Sequence, residues 1–404
     1  MLNSKILTAL AAAFIAVVTL ASCNLHPGDK SKTHYAAVKL VGSDRWSIID
    51  VNSGENIHRD EFKNQPSAIV GDKFCVKNNE RLYDYFSVDN VTKPINKESY
   101  VSASAFNENG ISVATPKGKA INVINDKCET ITTLSSSIKA ATNFYNGHAI
   151  ITTSDDMGGY KYGFINEKGE TAVKPVYDKV LSVFSEDGIA LMAKYNAKYK
   201  VDKEVAAATC FAIDTTGKVL FSFSLNEYYV CSRFVNGYLA VKNPNGEAFL
   251  LDKQGKRAFS IGKWDDDDIL SILGVYDNMV EFEQGGSFGL KDMNGKTAIQ
   301  AKYDNLMSYN WVFVKGGEYQ DLYIAKKDGR YGLINNKDEV KIPFTYAELY
   351  PWNNNLLLAG NGDSFILIDL NGKEVFRENF TDITMESIIN TTYVISDIPE
   401  RQIE

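Results

Sequence analysis

A recurrence of about forty residues constrains this chain more than any other feature. The segment KYGFINEKGE at 161–170 returns as SFGLKDMNGK at 287–296 and as RYGLINNKDE at 330–339. Looser copies end in Asp50 with Gly54, Asp214 with Gly217, Asp252 with Gly255, and Asp369 with Gly372, and two weaker ones surround Asp89 and Asn125. With the Asp or Asn as marker, positions 50, 89, 125, 166, 214, 252, 292, 335 and 369 stand 34 to 48 residues apart. A period of this size held over nine copies signals stacked supersecondary units, each too small to bury its own apolar face.

The physics of one unit is readable. The residues before the marker alternate aromatic and aliphatic, the pattern of a half-buried strand. In the turn that follows, Asp or Asn can bond its own backbone, and Gly takes the positive φ that closes a tight hairpin. The expected turn pairs are Asp50 and Gly54, Asn166 and Gly169, Asp214 and Gly217, Asp252 and Gly255, Asp292 and Gly295, and Asp369 and Gly372. Asn335 marks a further turn without the glycine. A second strand such as 171–175 comes next, then a Tyr-Asp element (Tyr177-Asp178, Tyr303-Asp304). A last strand pair is centred on Gly188 or Gly237. Four short strands in forty residues is the size of a propeller blade.

These residues resemble the WG repeat family, whose units run aromatic-Gly-x-Ile-Asn/Asp-x-x-Gly, then a strand with Pro, then Tyr-Asp, then Phe-x-x-Gly-x-Ala. The unit from Lys161 matches nearly throughout, including Pro175 and Tyr177-Asp178, and those from Ser287 and Arg330 match well. Tyr or Phe usually replaces Trp, and most units lack the Gly after it. The resemblance implies repetitive β structure and often a bacterial envelope location, with no shared reaction. The fold expected is therefore all-β, a repeat protein closed into a single β-propeller of about eight blades, since closure hides sheet edges. The alternative is an open solenoid of β-hairpins.

The N-terminus points to export. Lys5 precedes an apolar run from Ile6 to Leu20, which is short for a membrane span and has the layout of a secretory signal. Leu20-Ala21-Ser22-Cys23 then resembles the lipobox of bacterial lipoproteins, which implies acylation of Cys23 and cleavage before it. The expected organisation is a signal peptide at 1–22, a lipidated tether at 23–34, the repeat array at 35–396 and a C-terminal tail at 397–404. Two or three acyl chains anchor stably where one would not. Asn24 after the Cys, by resemblance to lipoprotein sorting, places the anchor in the outer membrane of a two-membrane envelope.

Composition narrows the partners. A net charge of -8 and a pI near 5.3 lack the basic footprint of a nucleic-acid binder, so none is expected. Cys75, Cys128, Cys210 and Cys231 show no metal-type spacing and read either as buried thiols or as two bridges. No metal site, cofactor or catalytic residue is assigned. Gly285-Gly286-Ser287-Phe288-Gly289 is a literal G-x-S-x-G, yet it opens a repeat hairpin where a nucleophile elbow needs a strand leading into a helix. The four His are scattered, and Asp265 to Asp268 reads as a solvated loop. The functional expectation is a membrane-anchored interaction module for a protein or a glycan. The rival is a hydrolase with carboxylates at the channel mouth, which spacing alone does not reveal.

Overall fold

The computed structural model describes residues 35–155, 159–195, 208–263, 270–276, 279–308, 321–352, 356–376 and 378–384. Outside them lie the signal segment, Cys23 and its tether, Asp265 to Asp268 and the tail from 397. Every regular element described is a strand, and the sheets are antiparallel meanders. Five sheets have four strands each, starting at Ile138–Tyr145, Lys179–Ser182, Tyr229–Val235, Leu270–Tyr276 and Asn305–Ser308. They are numbered units 4 to 8 below.

The two larger sheets divide at weak links. Tyr100–Ala103 starts a four-stranded unit 3, joined through the single pair Tyr83↔Tyr100 to a two-stranded unit 2, Lys73–Lys77 with Tyr83–Ser87. The seven-stranded sheet joins the two chain ends. Phe380–Ile383 pairs with Tyr35–Leu40 and becomes the first strand of unit 1, which continues through Trp46–Asp50 and Glu55–Phe62. Unit 9 holds Glu348–Pro351, Leu356–Gly360 and Phe365–Asp369, extended by a bridge from Ile368 to Glu374.

Nine hydrophobic clusters show that the units form a ring. Each cluster draws on two successive units: Phe164 and Tyr177 of unit 4 with Phe184 and Met192 of unit 5, for example, or Cys210 and Phe223 of unit 5 with Phe234 and Phe249 of unit 6. The ninth joins Trp352 and Phe376 of unit 9 to Ala36, Val38 and Ile49 of unit 1. No unit buries both faces alone, and the circle closes. The protein is thus a single β-propeller, with eight units of three or four strands and the reduced unit 2 between units 1 and 3. The open solenoid is excluded by the pairing of the ends.

In unit 5 the last strand is the most exposed. The first strand of unit 5 alternates half-buried and buried positions, whereas the fourth is mostly exposed. Fourth strands therefore form the rim and first strands surround the axis. Sequence unit and blade are out of phase: the repeat read from Lys161 supplies the last two strands of unit 4 and the first two of unit 5. Each repeat thereby straddles a blade junction, which ties neighbouring blades covalently and through the Tyr-Asp element. Tyr177 is buried between blades, while Asp178 donates its N–H to Ala193 O at 2.9 Å and its carboxylate accepts the N–H of Tyr195.

Candidate functional site

Apart from Asp89, which follows the last strand of unit 2, the marker residues lie in turns after third strands. Asn166 Oδ1 accepts the N–H groups of Lys168 and Glu170, both at 3.0 Å, and the same pattern recurs at Asp214, Asp252, Asp292, Asn335 and Asp369. Asp50 accepts instead from Asn52 and Ser53. Gly54, Gly169, Gly217, Gly255, Gly295 and Gly372 all hold φ between 70° and 81°, and Asp338 (φ 70°) and Cys128 (φ 60°) occupy the corresponding place after Asn335 and Asn125. These turns lean on the preceding blade: a Cβ at Gly169 would meet Thr132 of unit 3 at 2.2 Å, and one at Gly255 would meet Phe221 of unit 5 at 2.6 Å. The marker residues therefore hold the ring together, and nothing in their geometry recruits a ligand.

The glycine after the aromatic has a different cause. Gly163, Gly289 and Gly332 have no positive φ; each faces a fourth strand that carries two extra residues. Tyr162 pairs with Tyr177 while Phe164 pairs with Val173, and the same step occurs at Phe288/Leu290 and Tyr331/Leu333. The bulge presses backbone onto the glycine, so that a Cβ at Gly163 would lie 2.3 Å from Val173 O. In unit 1 Ser47 stands there, and its hydroxyl accepts the N–H of Asp60, itself at φ 52°. Where Phe211 stands in unit 5, pairing with Ser222 is regular.

A second repeated device escaped the sequence reading. Ser67, Ser104, Thr142, Ser182, Ser232 and Thr384 each sit in or beside an innermost strand. Each hydroxyl accepts a second-strand N–H: Cys75, Val113, Ile150, Leu191, Ala240 and Ala37, at 3.0–3.2 Å. In units 4, 5 and 6 the strand register shifts close by, so the hydroxyl satisfies an amide that the ladder leaves unpaired. The signal was present as Ser/Thr-x-Phe at 104–106, 142–144, 182–184 and 232–234. The Phe two residues on is buried in all four, contributing about 2–3 kcal/mol each by burial.

Once these structural groups are set aside, one surface stands out. Strand direction puts the turns after first and third strands on one face, the marker-turn face, and those after second strands on the opposite one. Three tyrosines are among the large hydrophobic side chains left exposed in the described residues: Tyr160 (49%), Tyr195 (51%) and Tyr229 (52%). All three lie toward the opposite face, at the start of the third strand of unit 4, the end of the second of unit 5 and the start of the first of unit 6. None belongs to an interblade cluster.

Tyr160 and Tyr195 lie on either side of Tyr162, which is half-buried against the cluster between units 4 and 5. Burial first, then the phenols of Tyr160 and Tyr195, push the Tyr162 hydroxyl up, and burial followed by the Asp178 charge does the same to Tyr195. Asp178 is held between Lys161 Nζ and the Tyr195 N–H (2.9 Å), and Lys194 Nζ lies 4.9 Å above the Tyr177 ring. At the place of Tyr160, six residues before the marker, unit 7 has the turn residue Gly286 and unit 8 has Gly329. The rings are thus a local addition to the repeat, which is why a reading centred on the consensus passed over them.

Other chemistry is dispersed. Ser287 opens a strand after the Gly285-Gly286 turn, with no helix behind it. Glu348 and Asp382 lie on innermost strands and burial raises both carboxyls, but the charge acting on Asp382 is that of Lys39. The described residues hold no group of His, Cys, Asp and Glu arranged to bind a metal. The four thiols among the described residues are free; Cys75 and Cys210 are buried and pushed up to about 12 by desolvation. Cys210 lies between units 5 and 6 whereas Cys231 packs between units 6 and 7, and Cys75 and Cys128 share the cluster between units 2 and 3.

Residues 162–199, 288–331 and 331–363 match the family described as WG containing repeat. Each segment begins one residue before a glycine that faces the bulge, Gly163, Gly289 or Gly332. No curated protein matches the sequence. Among solved structures, an eukaryotic initiation factor is 11% identical, with a TM-score of 0.42 over 80% of this chain and 97% of its own. AztD from Citrobacter koseri is 11% identical, with a TM-score of 0.39 over 87% of this chain and 96% of its own. BamB from Moraxella catarrhalis, also 11% identical, gives 0.35 over 76% and 92%. Overlaps this loose leave the fold resting on the chain's own strand pairing.

Proposed function

We propose that this chain, which matches the WG containing repeat over three segments, is a lipid-anchored module of the bacterial envelope that binds a glycan. Cys23 carries the anchor, and the outer membrane is its location. The observation that carries the binding role is the patch of exposed Tyr160 and Tyr195, backed by the half-buried Tyr162, beside the Lys161–Asp178 pair. Exposed aromatic rings offer flat apolar faces at low entropic cost and a polar tip for hydrogen bonds. Asp178 and Lys161, fixed by each other, add an acceptor and a donor that need no reordering on binding. A sugar ring presents both kinds of surface, apolar C–H faces and equatorial hydroxyls. The rigid ring holds the patch while its loops vary, the usual division of labour between scaffold and site.

The test is binding of the purified protein to immobilised envelope polysaccharides, comparing wild type with Tyr160→Ala/Tyr195→Ala. The expected loss is at least about tenfold in affinity, or about 1.4 kcal/mol, with an unchanged urea midpoint. Capture by no polysaccharide, or equal capture of both proteins, would remove the glycan reading. For the anchor, Cys23→Ala should abolish metabolic labelling with a fatty acid; a mutant still labelled and still in the membrane fraction would refute it.

A further inference from the structure

We propose that the ring stands on the membrane with its marker-turn face toward the lipid, so that the tyrosine patch looks away from it. The inference rests on the lipid-anchor reading of Cys23 and adds an orientation to it. Tyr35, the first residue of the second strand of unit 1, pairs with Asp50, the marker of that unit. The chain therefore enters the ring at the marker-turn face. The other end agrees: Ile383 pairs with Val38, and Phe380–Ile383 runs antiparallel to Tyr35–Leu40, so the chain beyond Thr384 also leaves by that face.

Reach sets what it would cost to lay the opposite face against lipid instead. Eleven residues separate Cys23 from Tyr35, and a fully extended chain spans about 40 Å over that distance. A compact body of this size has a radius of gyration of about 20 Å. To seat the opposite face on the bilayer, the tether would have to cross from a second strand to the rim and then down the full blade height. That path is about 30 Å, roughly 10 Å across two strands and roughly 20 Å along one. It would hold most of the tether extended at a cost in chain entropy, whereas seating the marker-turn face leaves the tether slack. Lipid charge does not add to this preference. The residue after the marker glycine, or after its substitute, is Lys218, Lys256, Lys296 or Lys373 in four units and Glu55, Glu129, Glu170 or Glu339 in four others, and the markers Asp50, Asp214, Asp252, Asp292 and Asp369 add carboxylates. Attraction to anionic lipid therefore does not hold this face down, and the tether alone sets the orientation.

The experiment uses the full-length lipidated protein, purified from membranes and reconstituted into phosphatidylcholine vesicles that carry a headgroup-labelled acceptor lipid. A fluorescent amino acid is placed at Lys256, in a marker turn, or at Lys117, in an exposed turn of the opposite face. Energy transfer should be clearly greater from position 256 than from 117, and the order should persist in vesicles containing phosphatidylglycerol. Equal transfer, or more from 117, overturns the orientation. If the protein does not co-float with vesicles, the anchor reading itself fails and the orientation falls with it. The urea midpoints of both labelled proteins check that the ring is intact.

Discussion

Unit 4 and unit 2 do the same job in the ring by opposite means. Unit 4 is nearly all repeat: four strands, an Asn166 turn, a bulge over Gly163 and a buried Tyr177. Unit 2 keeps two strands and replaces the rest with side-chain hydrogen bonds. The N–H of Tyr85, which a fourth neighbour would have paired, goes to Asn96 Oδ1 at 2.7 Å. Asn96 in turn donates to the buried Asp84, as do Asn78 (2.8 Å) and Ser99 (2.6 Å). The fully buried Tyr85 hydroxyl donates to Ser104 O and meets Ser112, tying unit 2 to unit 3. A blade position can thus be filled by any segment that satisfies its own polar groups and offers apolar faces to both neighbours. Backbone pairing is one route to that end, and a polar network is another.

The comparison breaks most readily at Asp84. Asp84→Ala leaves the amides of Asn78 and Asn96 and the Ser99 hydroxyl without their acceptor in a buried place. It should cost about 3 kcal/mol, read as a lower urea midpoint. A cost under about 1 kcal/mol would mean that the network is incidental to unit 2.

In unit 4 the equivalent test separates backbone strain from interblade contact. Gly169 and Gly147 both have positive φ, 77° and 72°, but a Cβ at Gly169 strikes Thr132 and Leu134 of unit 3, whereas one at Gly147 meets nothing within 4 Å. Gly169→Ala should therefore destabilise by about 2–3 kcal/mol and Gly147→Ala by about 1 kcal/mol. Equal losses would refute the claim that marker turns brace the preceding blade. Gly163→Ala, pressed by backbone alone, should cost about 1–3 kcal/mol, whereas Glu170→Val, on an exposed side chain, should stay within about 0.5 kcal/mol.

A separate test of burial at the blade junctions is alkaline. Burial holds Cys75, Cys128 and Cys210 near 12, above the ordinary thiol value, so the folded state favours the protonated form. That contribution is complete below about pH 9 and is lost as pH rises toward 12. The urea midpoint should fall between pH 8 and pH 10.5, and less so in Cys75→Ala. A flat profile would show that these thiols are not desolvated.

Unit 4 was legible in the sequence because its turn, bulge and junction each demand particular residue types: Asn166, Gly169, Gly163, Pro175 and Tyr177. The ring followed from counting such units, nine markers for nine blade positions, against an expectation of about eight. Asp89 marked unit 2 only faintly, because a network of Asp84, Asn78, Asn96 and Ser99 has no period to detect. The hydroxyl device left a weak pattern, Ser/Thr-x-Phe, hidden by its short length. The tyrosine patch left none, since Tyr160 and Tyr195 come from different blades and meet only in the fold.

The account depends on closure, and a cross-link between the chain ends tests it most directly. Lys39 and Asp382 are directly opposed in the antiparallel pair that joins first and last repeats, a separation that suits a disulfide. In the double variant Lys39→Cys/Asp382→Cys, mild oxidation should give an intramolecular bond linking the two peptides in a proteolytic digest of monomeric protein. An open solenoid would hold these residues far apart. Free thiols after oxidation, or bonds only between molecules, would contradict the closed ring.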